Sequence, residues 1–444
     1  MPSPLFGAAV RLRNASQRLS ATAALTAQAT CITRTTHTAR SVGALLLFCL
    51  SLAAPAQALT YAEAHLLAEQ SSPALQAQRA ALAGAEAAQG AAAALPDPRL
   101  AVGVENLPIS GPDRLSLTRD FMTMQRLALM QDVPHRAKRE ARSEAAQARA
   151  ERERALLMLA HLQLRQALDQ AWLAAQFVLA RQAALTEITL ENQRLQDTLP
   201  GRIAAAKASA ADLVMARQEA LALADRSDDL ARDALKARAA LRRWVGPRAD
   251  EALLGAATVP VPEPAQIRAA VSRQAELAVY PALLGLAQAE LREAQADSRG
   301  DWSWQVAYSR RGAQWGDMVS FQLSVDLPWQ QDRRQLPTIK AKQSEAERIS
   351  AEQDEALRRR VQQVDEQLAE LGALDRQLAR VQDSGLRFAQ QRVDLAMAGY
   401  QAGQTELAAV LAGRRELLET RLRALDLEAQ RDDLRVRLNH LLAE

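Results

Sequence analysis

Three thioethers stand near one another in this chain, at Met122, Met124 and Met130. They share one parity of a segment read as a strand, so all three would lie along one face. Thioether sulfur is a ligand for soft metal ions. Methionine is equally an adaptable apolar packer, and apolar filling is the expectation here. Other ligand types are sparse: His65, His135, His161 and His440 are scattered without ligand spacing. Each is expected at a helix surface or helix end. There is no catalytic triad signature, no Gly-rich phosphate loop and no H-E-x-x-H. The chain is therefore not expected to be an enzyme, and no cofactor or bound metal is expected.

Residues 1–58 read as an export leader. Five arginines (Arg11, Arg13, Arg18, Arg34 and Arg40) and no acid precede the apolar run SVGALLLFCLSLAAPAQA, which closes on Ala56-Gln57-Ala58. A basic region, an apolar core and a small-residue site, in that order, make a secretory signal. A membrane anchor would need about 20 apolar residues, and this run is shorter. The basic region is unusually long, which leaves the true start of translation open. Cys31 and Cys49 both leave with the leader, so the mature chain has no thiol, disulfide or Cys-based metal site. Phe48 before Cys49, inside the apolar run, argues against lipidation. Removing five arginines from 55 Lys and Arg leaves 50 against 52 acids, a net charge of −2. The whole-chain basicity therefore gives no reason to expect nucleic acid.

The rest of the chain follows one script twice. Leu127 to Gly246 and Val319 to Leu442 each carry an alternating apolar segment, a very long Ala- and Leu-rich helical pattern, a short break and a second helix. The segments end in QDVP (Gln131 to Pro134) and VDLP (Val325 to Pro328), with the two prolines 194 residues apart. The breaks GRIAAA, from Gly201, and GYQAGQ, from Gly399, are 198 apart. Self-similarity of this kind specifies architecture before any single motif does.

His135 to Leu199 contains neither Gly nor Pro, and a helix of that length is a rod of roughly 100 Å. Leu157, Leu164, Ala171, Val178 and Leu185 recur every seven residues. In the second copy Leu357, Val364, Leu371 and Leu378 form one such row, and Leu374, Val381, Phe388 and Leu395 another. A sustained seven-residue repeat implies coiled-coil packing. The charge runs RAKREAR and EALRRRVQQVDEQ are expected on solvated faces.

Strand patterns precede each rod. Val319, Phe321, Leu323, Val325 and Leu327 alternate with Ser320, Gln322, Ser324 and Asp326; Trp302, Trp304, Val306 and Tyr308 alternate with Ser303, Gln305, Ala307 and Ser309. In the first copy Leu100, Val102 and Val104 alternate with Ala101, Gly103 and Glu105, and LSLTRDFMTMQRLALMQD is mixed. Strands of about ten residues can cross a bilayer when tilted; a soluble hairpin capping a helical bundle has the same periodicity. Four strands do not close a barrel, and lipid does not tolerate open sheet edges. If these strands enter a membrane, several chains must share one barrel.

The duplicated strand pair and long helix pair resemble the TolC-type outer-membrane efflux channel family over essentially the whole mature chain. The helix-tip motif of that family is matched by GYQAGQTELAAVL (Gly399 to Leu411) and, in worn form, by GRIAAAKASAADLV (Gly201 to Val214). Pro96 to Pro134 looks most like the heavy-metal branch, of cobalt–zinc–cadmium and copper–silver type. The resemblance implies a mainly α fold with membrane β. Three chains would build a 12-stranded outer-membrane β-barrel, four strands per chain, continued by a long α-helical periplasmic barrel. It also implies a homotrimer in outer-membrane lipid that meets a periplasmic adaptor and an inner-membrane pump of the resistance–nodulation–division (RND) class, and conducts substrate passively. The implied layout is a first repeat over 59–246, with a short helix, a strand pair at about 98–133 and a helix pair at about 135–245. A Pro-rich linker at 247–264 would lead to a second repeat over 265–444, with a strand pair at about 302–328 and a helix pair at about 337–443. The adaptor-contact tips would be Ile203, Ala205, Ala206 and Ser209 in the first copy and Tyr400, Ala402, Gly403 and Thr405 in the second. Asp212 would place three carboxylates around a pore aperture; its other reading is a plain helix N-terminal acid. Ala409 and Ala412 stand where the family often has aspartates. The alternatives are a duct for drugs rather than metals, and a periplasmic adaptor or coiled-coil structural protein of an envelope complex. An adaptor would show one hairpin flanked by split β domains, and this chain shows two, each with its own strand pair.

Overall fold

The computed structural model describes residues 58–255, 260 and 263–442. The leader, apart from Ala58, and residues 256–259 and 261–262 of the Pro-rich linker lie outside the described residues. The elements run in two parallel series. The first is β1 (Ala58–Thr60), α1 (Tyr61–Ser71), α2 (Pro73–Ala92), β2 (Arg99–Glu105), β3 (Met124–Val133), α3 (Arg136–Ala204) and α4 (Ala210–Val245). The second is β4 (Ala252–Leu254), α5 (Pro264–Ala270), α6 (Ala275–Ala296), β5 (Trp302–Arg310), β6 (Met318–Val325), α7 (Gln335–Arg380), α8 (Leu386–Gln401) and α9 (Leu407–Asn439). The opening strands β1 and β4 pair in parallel, Leu59 opposite Leu253. The four longer strands form one antiparallel sheet in the order β2-β3-β5-β6.

Near the sheet, α3 packs between α2 and α6, and α6 packs on α7; farther away, α3 packs on α4 and α9, and α9 on α8. The lateral order is thus α2-α3-α6-α7 above and α4-α3-α9-α8 below. No described helix covers the outer sides of α4 and α8. Exposed apolar residues sit on both, Val214, Leu221 and Leu235 on α4 and Phe388 and Leu395 on α8.

The heptad row of α3 is buried, from Leu164 to Leu185, as is Val364-Leu371-Leu378 of α7. The row Leu374-Val381-Phe388-Leu395 is not continuous. Leu374 is buried, but Phe388 and Leu395 face solvent, and Ala389, Val393 and Tyr400 take their place inside. The cause is a π-helical turn at Val381–Gly385, between α7 and α8. One extra residue in the turn rotates everything after it by about 100°.

The charge runs also depart from expectation. Lys138, inside RAKREAR, is buried and lies 3.0 Å from Asp301 Oδ2. Arg360 of the second run bonds Gln274 Oε1 at 2.5 Å across to the segment before α6. A long rod that packs on both sides leaves too little solvated circumference for every charge, so these two are used inward.

Two of the scattered histidines converge. Asp169 on α3 accepts hydrogen bonds from Tyr61 Oη at 2.6 Å and His65 Nε2 at 2.7 Å, both on α1, and from His440 Nε2 at 2.9 Å just beyond α9. Trp172, fully buried one turn along, packs edge-on to Tyr61 in the core formed with Leu59, Leu75, Leu168 and Leu241. Burial raises the Asp169 pKa, but the three donors outweigh it and hold the carboxyl at about 2. The first and last helices of the described chain are thereby tied to one carboxylate.

Candidate functional site

The sheet has two chemically distinct faces. Register places Leu100, Leu129, Val306 and Phe321 in one row across all four strands, and Val102, Leu127, Tyr308 and Val319 in the next. All eight are exposed, so the apolar face of the sheet is uncovered. The opposite rows read Ala101, Ala128, Ala307, Ser320 and Gly103, Arg126, Ser309, Met318. This second face is small and polar. Its charges come in pairs on the first hairpin: Arg126 with Glu105, and Arg99 with Asp132 at 3.3 Å.

Met124 and Met130 fall on this small, polar face, in the same parity as Arg126 and Ala128. Met122 precedes the strand, in a loop where its backbone oxygen accepts from Asn106 Nδ2. The three sulfurs do not share one strand face, because β3 starts only at Met124. Among the described residues no group of three or more His, Cys, Asp or Glu side chains is arranged to hold a metal ion.

The two helix tips turn in the same way. Lys207 N–H donates to Arg202 O at 2.8 Å and Ala206 N–H to Ile203 O; Gln404 N–H donates to Gly399 O at 2.8 Å and Gly403 N–H to Tyr400 O. Both are Schellman closures, which need a left-handed residue one step before the end. Gly403 supplies it at φ +72° and Ala206 at φ +56°. The hydrogen bonds match Ile203 with Tyr400, Ala205 with Ala402 and Ala206 with Gly403. Ser209 matches Glu406 rather than Thr405, since each is the N-cap of its following helix. Ala in the left-handed region costs about 1 kcal/mol. Ala206→Gly is accordingly expected to rigidify the first tip, measured as slower trypsin cleavage after Lys207.

Six of the eight sequence-derived tip residues lie at the surface, whereas Ile203 is half-buried and Tyr400 buried. Tyr400 joins the two hairpins. Its ring lies 4.3 Å under the Arg202 guanidinium, and it packs with Leu195, Leu199, Leu407 and Val410. Burial pushes its phenol pKa up. Sequence reasoning did not single out Arg202; a cation four residues before the left-handed Ala206 was the available signal.

Asp212 is almost fully buried, and its carboxylate accepts from the backbone N–H of Ser209 at 2.8 Å. The Ser209 hydroxyl accepts in return from Asp212 N–H, completing a capping box. This places Asp212 in the role of a helix cap. Asp212→Ala is expected to destabilise the first tip by about 1 kcal/mol, read as faster cleavage after Lys207.

No protein-family model matches this sequence, and no curated protein sequence matches it. Solved structures do. CusC, whose crystal structures follow folding and transmembrane channel formation, matches with a TM-score of 0.72 at 18% identity, over 85% of this chain and 91% of that one. The chain has the fold of an outer-membrane efflux channel. The outer-membrane protein VceC of Vibrio cholerae matches with a TM-score of 0.70 at 18% identity, over 85% and 95% of the two chains. The open-state MtrE outer-membrane channel of Neisseria gonorrhoeae matches with a TM-score of 0.69 at 15% identity, over 86% and 88%. No described helix is long and apolar enough to cross a membrane.

Proposed function

We propose that this chain is the outer-membrane channel of a tripartite RND efflux system, conducting solute passively from an adaptor and pump to the exterior. The observation that carries the reading is a sheet with one exposed apolar face and two free edges, β2 and β6. In lipid such edges must be paired. Copies joined edge to edge around an axis would put the apolar rows outward and the small polar rows around a water-filled lumen. The uncovered sides of α4 and α8 would then meet between neighbouring copies, so that the barrel and the helical tunnel close together. Three copies make a 12-stranded barrel, and a heterologous ring of this kind closes without leaving an edge. The exposed small residues of the tips suit close approach by another helical hairpin, which is the role proposed for the adaptor contact.

Heavy-metal cations are the proposed cargo, on the resemblance carried by Pro96 to Pro134. The polar face supports a conduit rather than a binding site, because its charges are paired and passage requires release. Outer-membrane fractionation with and without boiling tests the assembly: a trimer band that collapses on heating is expected, and a soluble monomer would refute it. Deleting the gene tests the cargo. Sensitisation to zinc, cadmium, cobalt or copper supports it, and sensitisation to organic drugs alone would reassign it.

A further inference from the structure

We propose that the cavity at the foot of the sheet binds the headgroup of an ethanolamine phospholipid. The cavity has a volume of about 660 Å³ and opens where β5 and β6 join α6 and α7. Its residues fall into two sets. Lys138 is already paired with Asp301 at 3.0 Å and with Asp297 at 3.9 Å. Arg299, Asp326 and Arg334 line the same space and are exposed. The Gln335 carboxamide oxygen, also lining it, is buried and accepts no hydrogen bond among the described residues. A buried acceptor without a donor is destabilising, and a donor ligand would relieve it.

Gly300 fixes the shape of the cavity. A Cβ there would stand 1.9 Å from the Asp326 backbone oxygen, and Asp326 N–H donates to Asp301 O at 2.7 Å. The strand exit and the helix end are therefore pinned backbone to backbone. The unpaired groups are complementary to a zwitterion. Two guanidiniums suit a phosphodiester, and a carboxylate with a bare carboxamide oxygen suits a primary ammonium, which has three protons to give. A quaternary ammonium has none, and a glycerol headgroup has no positive charge.

Location selects the lipid as source. Leu327 lines the cavity, and the exposed Trp302 and Trp329 each follow a lining residue, Asp301 and Pro328, in sequence; exposed tryptophans mark the level of lipid headgroups. This step rests on the channel reading, in which the sheet crosses the bilayer.

The test uses the full mature protein in nanodiscs containing equal phosphatidylethanolamine, phosphatidylcholine and phosphatidylglycerol, with retained lipids counted by native mass spectrometry. Phosphatidylethanolamine is expected to be retained about tenfold over the other two, the worth of one charge-assisted hydrogen bond. Arg334→Ala and Asp326→Asn are each expected to bring that preference within about twofold of parity. No preference in the wild type, or one unchanged in both variants, overturns the site. Displacement by soluble phosphoethanolamine at equal concentration would overturn the lipid as its source. Liposome flotation separates the two readings: protein that fails to float sinks the channel proposal, and protein that floats without headgroup preference sinks only this one.

Discussion

Asp169→Ala is expected to be among the most destabilising single substitutions in the helical part of the molecule. The carboxylate takes three donors, Tyr61 Oη, His65 Nε2 and His440 Nε2, within 2.6–2.9 Å. Alanine strands all three beside the Trp172 core, where His440 Nδ1 is already buried without a partner. Each donor left unpaired costs about 1–3 kcal/mol, so a total near 4 kcal/mol is reasonable. At about 2 cal/mol/K of unfolding entropy per residue, that lowers the thermal midpoint by about 5 °C. Circular dichroism of the detergent-solubilised protein reads it, and an unchanged midpoint would remove the hub from the account of stability.

The same carboxylate sets an acid limb. Its folded pKa of about 2 lies below the usual value of 3.8. A lowered carboxylate pKa contributes stability that is fully present above pH 4 and is lost as pH falls through 2. The contribution is about 2 kcal/mol at 1.36 kcal/mol per unit. Asp169→Ala should therefore flatten the midpoint-versus-pH curve between pH 4 and 2.

Phe321→Arg tests the membrane reading directly. Phe321 stands in the row Leu100-Leu129-Val306-Phe321, near the middle of its strand and largely exposed. Arginine on a lipid-facing midplane position costs about 2–4 kcal/mol, and a trimer incurs that in every copy. Loss of the heat-sensitive trimer from the outer-membrane fraction is expected. Gln322→Arg, one residue along on the small polar face, is the control and should assemble normally. Equal behaviour of the two variants would favour a sheet that meets water on both faces.

The sequence by itself determined the element order and the periodicities. Period-two alternation marked β5 and β6, since each residue there has to face one side or the other. The Gly- and Pro-free run from His135 marked α3, although the helix continues through Pro200 to Ala204. Pro200 has no N–H to give to the Gln196 carbonyl, so the helix continues past it one hydrogen bond short. The duplicated tips were legible because a left-handed turn needs small residues.

Tertiary structure decided everything that depends on phase or on long-range convergence. Heptad counting carried Phe388 and Leu395 into the core, and a single π turn at Val381–Gly385 rotated them out. A one-residue change of register leaves no mark on composition. Sequence spacing also kept His65, Asp169 and His440 apart, since 104 and 271 residues separate the histidines from the acid. Only folding the first helix and the last onto the middle of α3 brings them to one carboxylate. Asp212 was legible as an acid near a tip, but whether it faces a pore or its own backbone is a matter of angle. Its capping box with Ser209 came into view only in the structure, where it satisfies N–H groups that the start of any helix leaves unpaired.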